Sequence, residues 1–543
     1  YRSVLVGREN NDPKAIAENN ELLFFTNYPS GNGQTKSWLH EHDNRYNCYN
    51  ESLEVAGGVP VNRPNVLVKK MDQYEITTQA GILHYNMKWL DDDKGKQKKG
   101  AFLKSIWLQT CAYLYTNKIK PTMLEWSCPG SMMEADINEL DKIYNSLCKL
   151  TPIVGAKTTL AYHQNAVTEA EAVCSYALSQ NFGLNSNNMF LGIDVGGSTS
   201  DILLLAKDSD NGNKATLYRE SSVRLAAGVF FNAVIKSDTF RQALLSFHEG
   251  HKTNVYVSNI KEILTEPSKA PYFLNSIFDQ LKTTEDYEEF YSSIDVNAKF
   301  VFTIPAYVTG MLLYYSGMLI GKTIKAEHLE RISRVDVLSF GKGGRLFHWL
   351  LNSAGVRATR EYYADCLNAG VRMVVGKELD VVYRDEIAED NKAEVAKGLC
   401  DPKELEKKAF SSESDICVES GVKYIMANGA PKELQAEDEL TGDYFANEMN
   451  NFDFSGIENF EKFMNIFLDF VSVKTHLYPQ ADNALRSDLA DLPNRIASYI
   501  CNNDTEYRKA RKSEDGSFHY HQPLIIAEGV CFLDTLIKKV FDQ

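Results

Sequence analysis

At 543 residues, with 44% apolar and 24% charged residues, the chain has ordinary globular composition. It also exceeds the roughly 250–300 residues at which single cores stop growing, so at least two lobes are expected and wholesale disorder is excluded. A formal charge of −15 opposes non-specific attraction to phosphate backbones, which sets nucleic acid aside as the main partner. The ten cysteines are scattered without a Cys-x-x-Cys pair, and several fall in apolar periodic segments. They read as reduced core thiols in a cytoplasm, not as a disulfide framework or a zinc site. No signal peptide is visible, but the chain opens on Tyr1 without a methionine, so that observation carries no weight on targeting.

In chain order, the first hundred residues are polar and turn-rich, with loops at "NYPSGNGQTKS" and "VAGGVPVNRP" and short strands at "LLFF", "NVLVKK" and "YEITT". After the charged loop "DDDKGKQKKG" come a helix at "AFLKSIWLQTCAYLY", a strand at "PTMLEWSC" and helices at "DINELDKIYNSL" and "EAEAVCSYAL". Alternating helices and strands indicate a mixed α/β sheet. The apolar runs on either side of "GGST" at 196–199 predict a hairpin, followed by the strand "ATLYRESSVRL" and the helix "GVFFNAVIK". Residues 240–299 are polar and helix-compatible, as an insertion would be.

The uncharged segment 300–321 is long enough to span a bilayer. Pro305, Gly310, Gly317 and the hydroxyls of Tyr307, Thr309, Tyr314 and Tyr315 suit a helix packed inside a protein better, so no membrane span is expected. The strand "VDVLSF" leads into the loop "GKGGR" and the helix "LFHWLLN". From 401 onward the chain is acidic and reads as mostly helical, ending in the amphipathic "PLIIAEGVCFLDTLIKKVF".

The chemistry concentrates in "IDVGGSTSD". Gly196 and Gly197 permit positive φ and remove side chains that would block approach, so successive backbone N–H groups can converge on an anion, and Ser198 and Thr199 add donors. Asp194 ends the entering strand where a phosphate-bound Mg²⁺ with its water shell can sit, and Asp201 on the exiting strand is a second candidate. By itself the turn reads either in this way or as an ordinary glycine hairpin with solvated carboxylates.

The neighbouring motifs carry a resemblance. Asp194-Val-Gly196-Gly197-Ser-Thr199-Ser-Asp201 resembles the second phosphate loop of the actin, sugar kinase and seventy-kilodalton heat-shock chaperone superfamily. Upstream, "TEAEAVCSYAL" is similar to that family's first connecting helix, with Glu169 on its glutamate and Ala170 in place of its proline. Downstream, "SVRLAAGVFFNAVI" looks like the following strand and helix with Gly228 at the turn. "VDVLSFGKGGRLFHWL" resembles the adenosine motif, with Gly341, Gly343 and Gly344 on its glycines and Lys342 departing from the usual small residue. "KAEVAKGLC" resembles the second connecting helix, where Gly398 allows two helices to cross closely.

This resemblance implies an α/β protein with a two-lobed actin-like ATPase fold, built from duplicated ribonuclease-H-like domains. The first lobe would span 1–188 and the second 189–388, with the insertion at about 240–299. Residues 389–543 would form a return helix to the first lobe and a helical C-terminal extension. ATP or ADP and Mg²⁺ would lie in the cleft, with two crossing helices as a hinge. Asp194 would hold metal-bound water, and the amides of Gly196, Gly197 and Ser198 with Thr199 would bind phosphate. Glu169 would orient the attacking water; without the motif it reads as a solvated glutamate on a helix.

The family's first phosphate hairpin has no counterpart before residue 100, where "SVLVGRENND" is a poor substitute. It is therefore expected upstream of Tyr1, and residues 1–543 are expected to bind ATP weakly or not at all and to hydrolyse it negligibly on their own. A chaperone-like ATP-driven switch acting on a protein partner or client ranks first among functions. A self-assembling actin-like filament protein, a small-molecule kinase and a scaffold that binds nucleotide without turnover follow. The helical reading of 401–543 favours a dedicated protein partner over general peptide binding.

Overall fold

The computed structural model describes chiefly residues 167–179, 184–208 and 214–234 (without 198), 300–384, 394–400, 458–496 (without 494) and 523–541, with 123–128, 134–149, several short strands and a few isolated positions. The chain divides into two compact units. One comprises Tyr1–Gln180, Arg241–Lys282 and Lys392–Lys403, the other Asn181–Phe240, Thr283–Asn391 and Glu404–Gln543.

In the first unit, strand Leu5–Glu9 pairs antiparallel with Asp12–Ala17, joined in sequence by Asn10-Asn11, which has neither glycine nor hydroxyl. The segment expected as the loop "NYPSGNGQTKS" contains a short antiparallel pair, Asn27–Pro29 with Thr35–Ser37. Helix α1 (Glu134–Lys149) buries Leu147 in a small cluster with Trp107. Helix α2 (Glu169–Ser179) is apolar nearly all round, with Ala170–Ser175 buried. It crosses the helix Glu394–Cys400 so tightly that a Cβ on Gly398 would lie 1.7 Å from the Ala172 carbonyl oxygen. Only glycine permits that approach. Of the helix expected at 101–115 only Leu103 and Trp107 are described, both helical, and the strand "LLFF" lies outside the described residues.

The second unit is built on a six-stranded mixed sheet of β1 (Asn188–Val195), β2 (Ser200–Asp208), β3 (Lys214–Val223), β4 (Arg334–Phe340), β5 (Asp380–Tyr383) and β6 (Glu406–Lys407). Their spatial order is β5-β4-β1-β2-β3-β6. β1, β2 and β3 form an antiparallel meander, and β4 is added parallel to β1 and β5 parallel to β4. Residues Met189–Ile193 and Asp201–Ala206 are buried without alternation, so both faces are covered, and the strands read as continuous apolar runs for that reason. The mixed α/β class expected from the sequence is present.

Helices α3 (Gly228–Val234), α4 (Thr303–Ala326), α5 (Arg345–Ala354), α6 (Val356–Val375), α7 (Glu458–Leu468) and α8 (Leu524–Phe541) belong to this unit, as does the helix Ala481–Ala490. The uncharged segment is the core helix α4, buried from Thr303 through Gly321. Its Thr309, Ser316 and Thr323 hydroxyls donate to the carbonyls of Pro305, Leu312 and Leu319 one turn back, each at 2.7 Å. These three hydroxyls are thus satisfied within the helix itself. α6 approaches so closely that a Cβ on Gly317 would sit 2.0 Å from Leu367 O and one on Gly370 2.2 Å from Tyr314 O. α6 ends at Gly376, whose φ of +66° and N–H bond to Arg372 O at 3.0 Å form a left-handed helix stop. Tyr307 of α4 packs among Phe463, Phe467 and Phe532, and donates to Gly529 O at 2.8 Å. Helices α7 and α8 are therefore part of this core.

At the N-terminal ends of β1 and β4, buried Asp336 accepts hydrogen bonds from Asn188 Nδ2 at 2.9 Å, Arg334 Nη2 at 2.8 Å and Arg384 Nε at 3.0 Å. Burial pushes this carboxyl up, but the donors from Arg334, Asn188 and Arg384 outweigh it and hold the group below the ordinary aspartate value.

The region after 401, expected to be mostly helical, carries short strands as well: Lys423–Met426 pairs antiparallel with Pro431–Glu433 and with Phe452–Asp453. Asn428-Gly429 between the first two strands is a hairpin signal that the acidic, polar composition around it obscured.

Candidate functional site

The hairpin β1–β2 brings its glycine turn to the C-terminal end of β1, beside the C-terminal end of the parallel strand β4. In open α/β sheets this is the edge at which ligands bind. Gly196 N donates to Thr199 O at 2.8 Å, which closes the turn. The two glycine carbonyls are engaged from below, by Ala227 N on Gly196 O at 3.1 Å and by Gly228 N on Gly197 O at 3.0 Å. A peptide unit is planar and trans, with C=O and N–H pointing in opposite directions. The Gly196–Gly197 peptide unit, whose carbonyl faces the 227–228 turn, therefore directs the Gly197 N–H the other way, as an anion cradle requires.

Close contact explains each glycine. A Cβ on Gly228 would fall 2.2 Å from Gly197 O, so the turn of α3 can seat under the hairpin only as glycine. Gly341, with φ +69°, follows β4 directly; a Cβ there would lie 2.1 Å from Asp194 Oδ1 and 2.9 Å from Val195 O. One on Gly343 would meet Val195 O at 2.5 Å and Ala227 Cβ at 2.7 Å. Gly344 N donates to Gly341 O at 3.1 Å and closes the loop that opens α5. At Gly197 the situation is different. The residue is exposed, its φ is not left-handed, and a Cβ would meet no described atom within 4 Å. Neither packing nor backbone conformation demands glycine there, and the bare backbone leaves room for an approaching group.

The carboxylates converge on the same place. Asp194 pairs across the ladder with Asp201 and lies beside Phe340 of β4. Directly opposed residues of an antiparallel pair share a face, so the two aspartates stand side by side, Asp194 half-buried and Asp201 7% exposed. Among the described residues there is no group of three or more His, Cys, Asp or Glu side chains suited to a metal. Two carboxylates beside a phosphate cradle fit a hydrated Mg²⁺, which is commonly held by one or two carboxylates plus substrate oxygens and keeps its waters. They do not fit a fully protein-caged ion.

Asp194, Asp201, Gly196, Gly197, Thr199, Gly228, Gly341, Gly343 and Gly344 are thus brought together at one strand end. Ser198 lies outside the described residues. Glu169 is the first residue of α2 in the first unit and is half-buried. Glu171, two residues on, is committed elsewhere. Its Oε2 accepts from Thr168 N at 2.6 Å while Thr168 Oγ1 accepts from Glu171 N at 3.1 Å, a reciprocal capping box that starts the helix. The spacing Thr168-x-x-Glu171 is the local signal from which this cap can be read. The seating of Gly228 and Gly341 against the hairpin had no local signal, because the contacting residues are distant in sequence.

Fold and site together define a mixed α/β unit whose glycine-lined strand end joins an outward-facing backbone N–H, that of Gly197, to a pair of carboxylates. No family model matches the sequence, and neither does any curated protein.

Proposed function

We propose that the chain is a nucleotide-dependent conformational switch of the actin-like and chaperone-like ATPase type, which binds ATP or ADP with Mg²⁺ and acts on a protein partner. The observation that carries this reading is the convergence of two loops on the glycine hairpin, the 227–228 turn on the carbonyls of Gly196 and Gly197 and the 341–344 loop on Asp194 and Val195. Three segments that resemble the family's phosphate and adenosine motifs need not have met in space. The sheet order also supports it, since an antiparallel meander extended by two parallel strands suits one ribonuclease-H-like lobe.

In this reading the Gly197 N–H and Thr199 bind phosphate oxygens, while the Gly196 N–H, expected to do the same, is committed to Thr199 O; the 341–344 loop receives the nucleoside, and Asp194 with Asp201 would accept hydrogen bonds from metal-bound water. Mg²⁺, when bound, neutralises phosphate charge. Catalysis would then be positioning and electrostatic stabilisation, with Glu169 orienting water. Changes at the phosphates would pass to α3 through the two hydrogen bonds from Ala227 and Gly228, which gives the switch a physical route.

Titration of the full chain with a fluorescent ADP analogue, in Mg²⁺ and in EDTA, tests the proposal. Binding should be stronger in Mg²⁺, and Asp194→Ala should remove that increment while leaving the EDTA affinity. Absence of nucleotide binding, or an Asp194→Ala protein with an undiminished Mg²⁺ response, would sink it.

A further inference from the structure

The strand register sets three polar side chains in one row across the sheet. Asp194 on β1 opposes Asp201 on β2, and Asp201 opposes Ser222 on β3. Directly paired residues project from the same face. The preceding residue, Ser221, projects from the other face, where its Oγ lies 2.8 Å from the Tyr315 hydroxyl of α4. Ser222 therefore shares the face of the two aspartates and extends their row by one strand, next to the chain that descends to the 227–228 turn.

The Ser222 hydroxyl oxygen is buried and has no hydrogen-bond partner among the described residues. A buried hydroxyl without a partner is costly, and folds retain one where a water or ligand completes it. Asp201 stands opposite in register yet is not bonded to it. Two polar groups that face one another without bonding are a suitable pair for a bridging water. A metal-bound water donates protons, a carboxylate accepts them, and a serine hydroxyl can both accept and donate.

We propose that Ser222 is a positioning residue of the metal site: together with Asp201 it holds one water of the hydrated divalent cation that Asp194 approaches from the other end of the row. This rests on the nucleotide and Mg²⁺ reading above. It assigns Ser222 no contact with the phosphates. Mg²⁺ sheds its waters reluctantly, so the residues that hold those waters fix where the ion sits, and removing such an outer partner commonly weakens metal affinity by roughly tenfold or more.

The test uses the full chain, a fluorescent ADP analogue and a Mg²⁺ titration. Ser222→Ala should need about tenfold more Mg²⁺ for half of the metal-dependent increment in nucleotide affinity, with the EDTA affinity and the thermal unfolding midpoint unchanged. Ser222→Thr, which keeps the hydroxyl, should recover the lower requirement. An unchanged Mg²⁺ requirement in Ser222→Ala overturns the assignment, as does an equal loss of affinity in EDTA, which would mark a merely structural role. If the unsubstituted chain shows no Mg²⁺-dependent binding, the functional reading itself falls. If it does and Ser222→Ala matches it, only the role of Ser222 falls.

Discussion

Gly341 and Gly376 have nearly the same backbone, with φ of +69° and +66°, and opposite surroundings. Alanine at either position incurs the left-handed penalty of about 1–2 kcal/mol. At Gly376 that is the whole cost, since a Cβ there meets nothing within 4 Å. At Gly341 the new methyl would sit 2.1 Å from Asp194 Oδ1 and 2.9 Å from Val195 O, so the loop or the carboxylate must move. Overpacking of this kind adds about 1–3 kcal/mol, for a total of about 2–5 kcal/mol. Urea unfolding of the two variants, compared at equal slope, should therefore place Gly341→Ala about 1–3 kcal/mol below Gly376→Ala. Because the obstructing atom belongs to Asp194, Gly341→Ala should also lose Mg²⁺-dependent nucleotide binding, whereas Gly376→Ala should keep it. Equal destabilisation by the two substitutions would show that the 341 loop does not press on Asp194, and the packing argument for the site would fail with it.

Other expectations follow from individual contacts. Asp336 has a folded pKa below its unfolded value of about 3.9. Its contribution to stability is therefore complete above that value and is lost as pH falls through the lower folded value; acid titration of unfolding should show a shallower decline in Asp336→Asn. Glu169→Gln should bind nucleotide as the unsubstituted protein does and hydrolyse it more slowly, in any form of the protein with measurable turnover, and an equal loss of affinity would contradict a role in orienting water. Gly398→Ala would force α2 and the helix Glu394–Cys400 apart at the 1.7 Å approach and should cost about 1–3 kcal/mol by overpacking, read as a lowered urea midpoint.

Local pattern made the hairpin readable: two apolar runs around four turn residues are a signal confined to about twenty positions, and β1 and β2 fall where those runs lie. The same holds for α4, whose lack of charge marked it; the capping box of α2 at Thr168 and Glu171 is an equally local signal that the motif reading of that segment missed. What sequence could not supply was register. That Ser222 stands in line with Asp201, and Asp201 with Asp194, depends on which residues pair across two ladders, and a shift of one residue would turn each side chain to the other face. Nor could it show why Gly370 is glycine, since the obstacle is the backbone of Tyr314 on another helix. The strands within 423–453 were hidden for a different reason: each is at most four residues long, too short to display a period.

The burial of α4 has a consequence for synthesis. Tyr307 gives its hydroxyl proton to the carbonyl of Gly529, a partner 222 residues further along the chain, and Phe532 covers the same ring. At about 5–20 residues per second a ribosome needs roughly 10–45 s to make that intervening stretch. For that interval a helix apolar enough to be mistaken for a membrane span has emerged while part of its covering has not yet been made. The second unit cannot finish folding while it is being translated past α4. Its completion waits for the last helix, and in the meantime the nascent chain presents the kind of surface that targeting factors and holding chaperones bind.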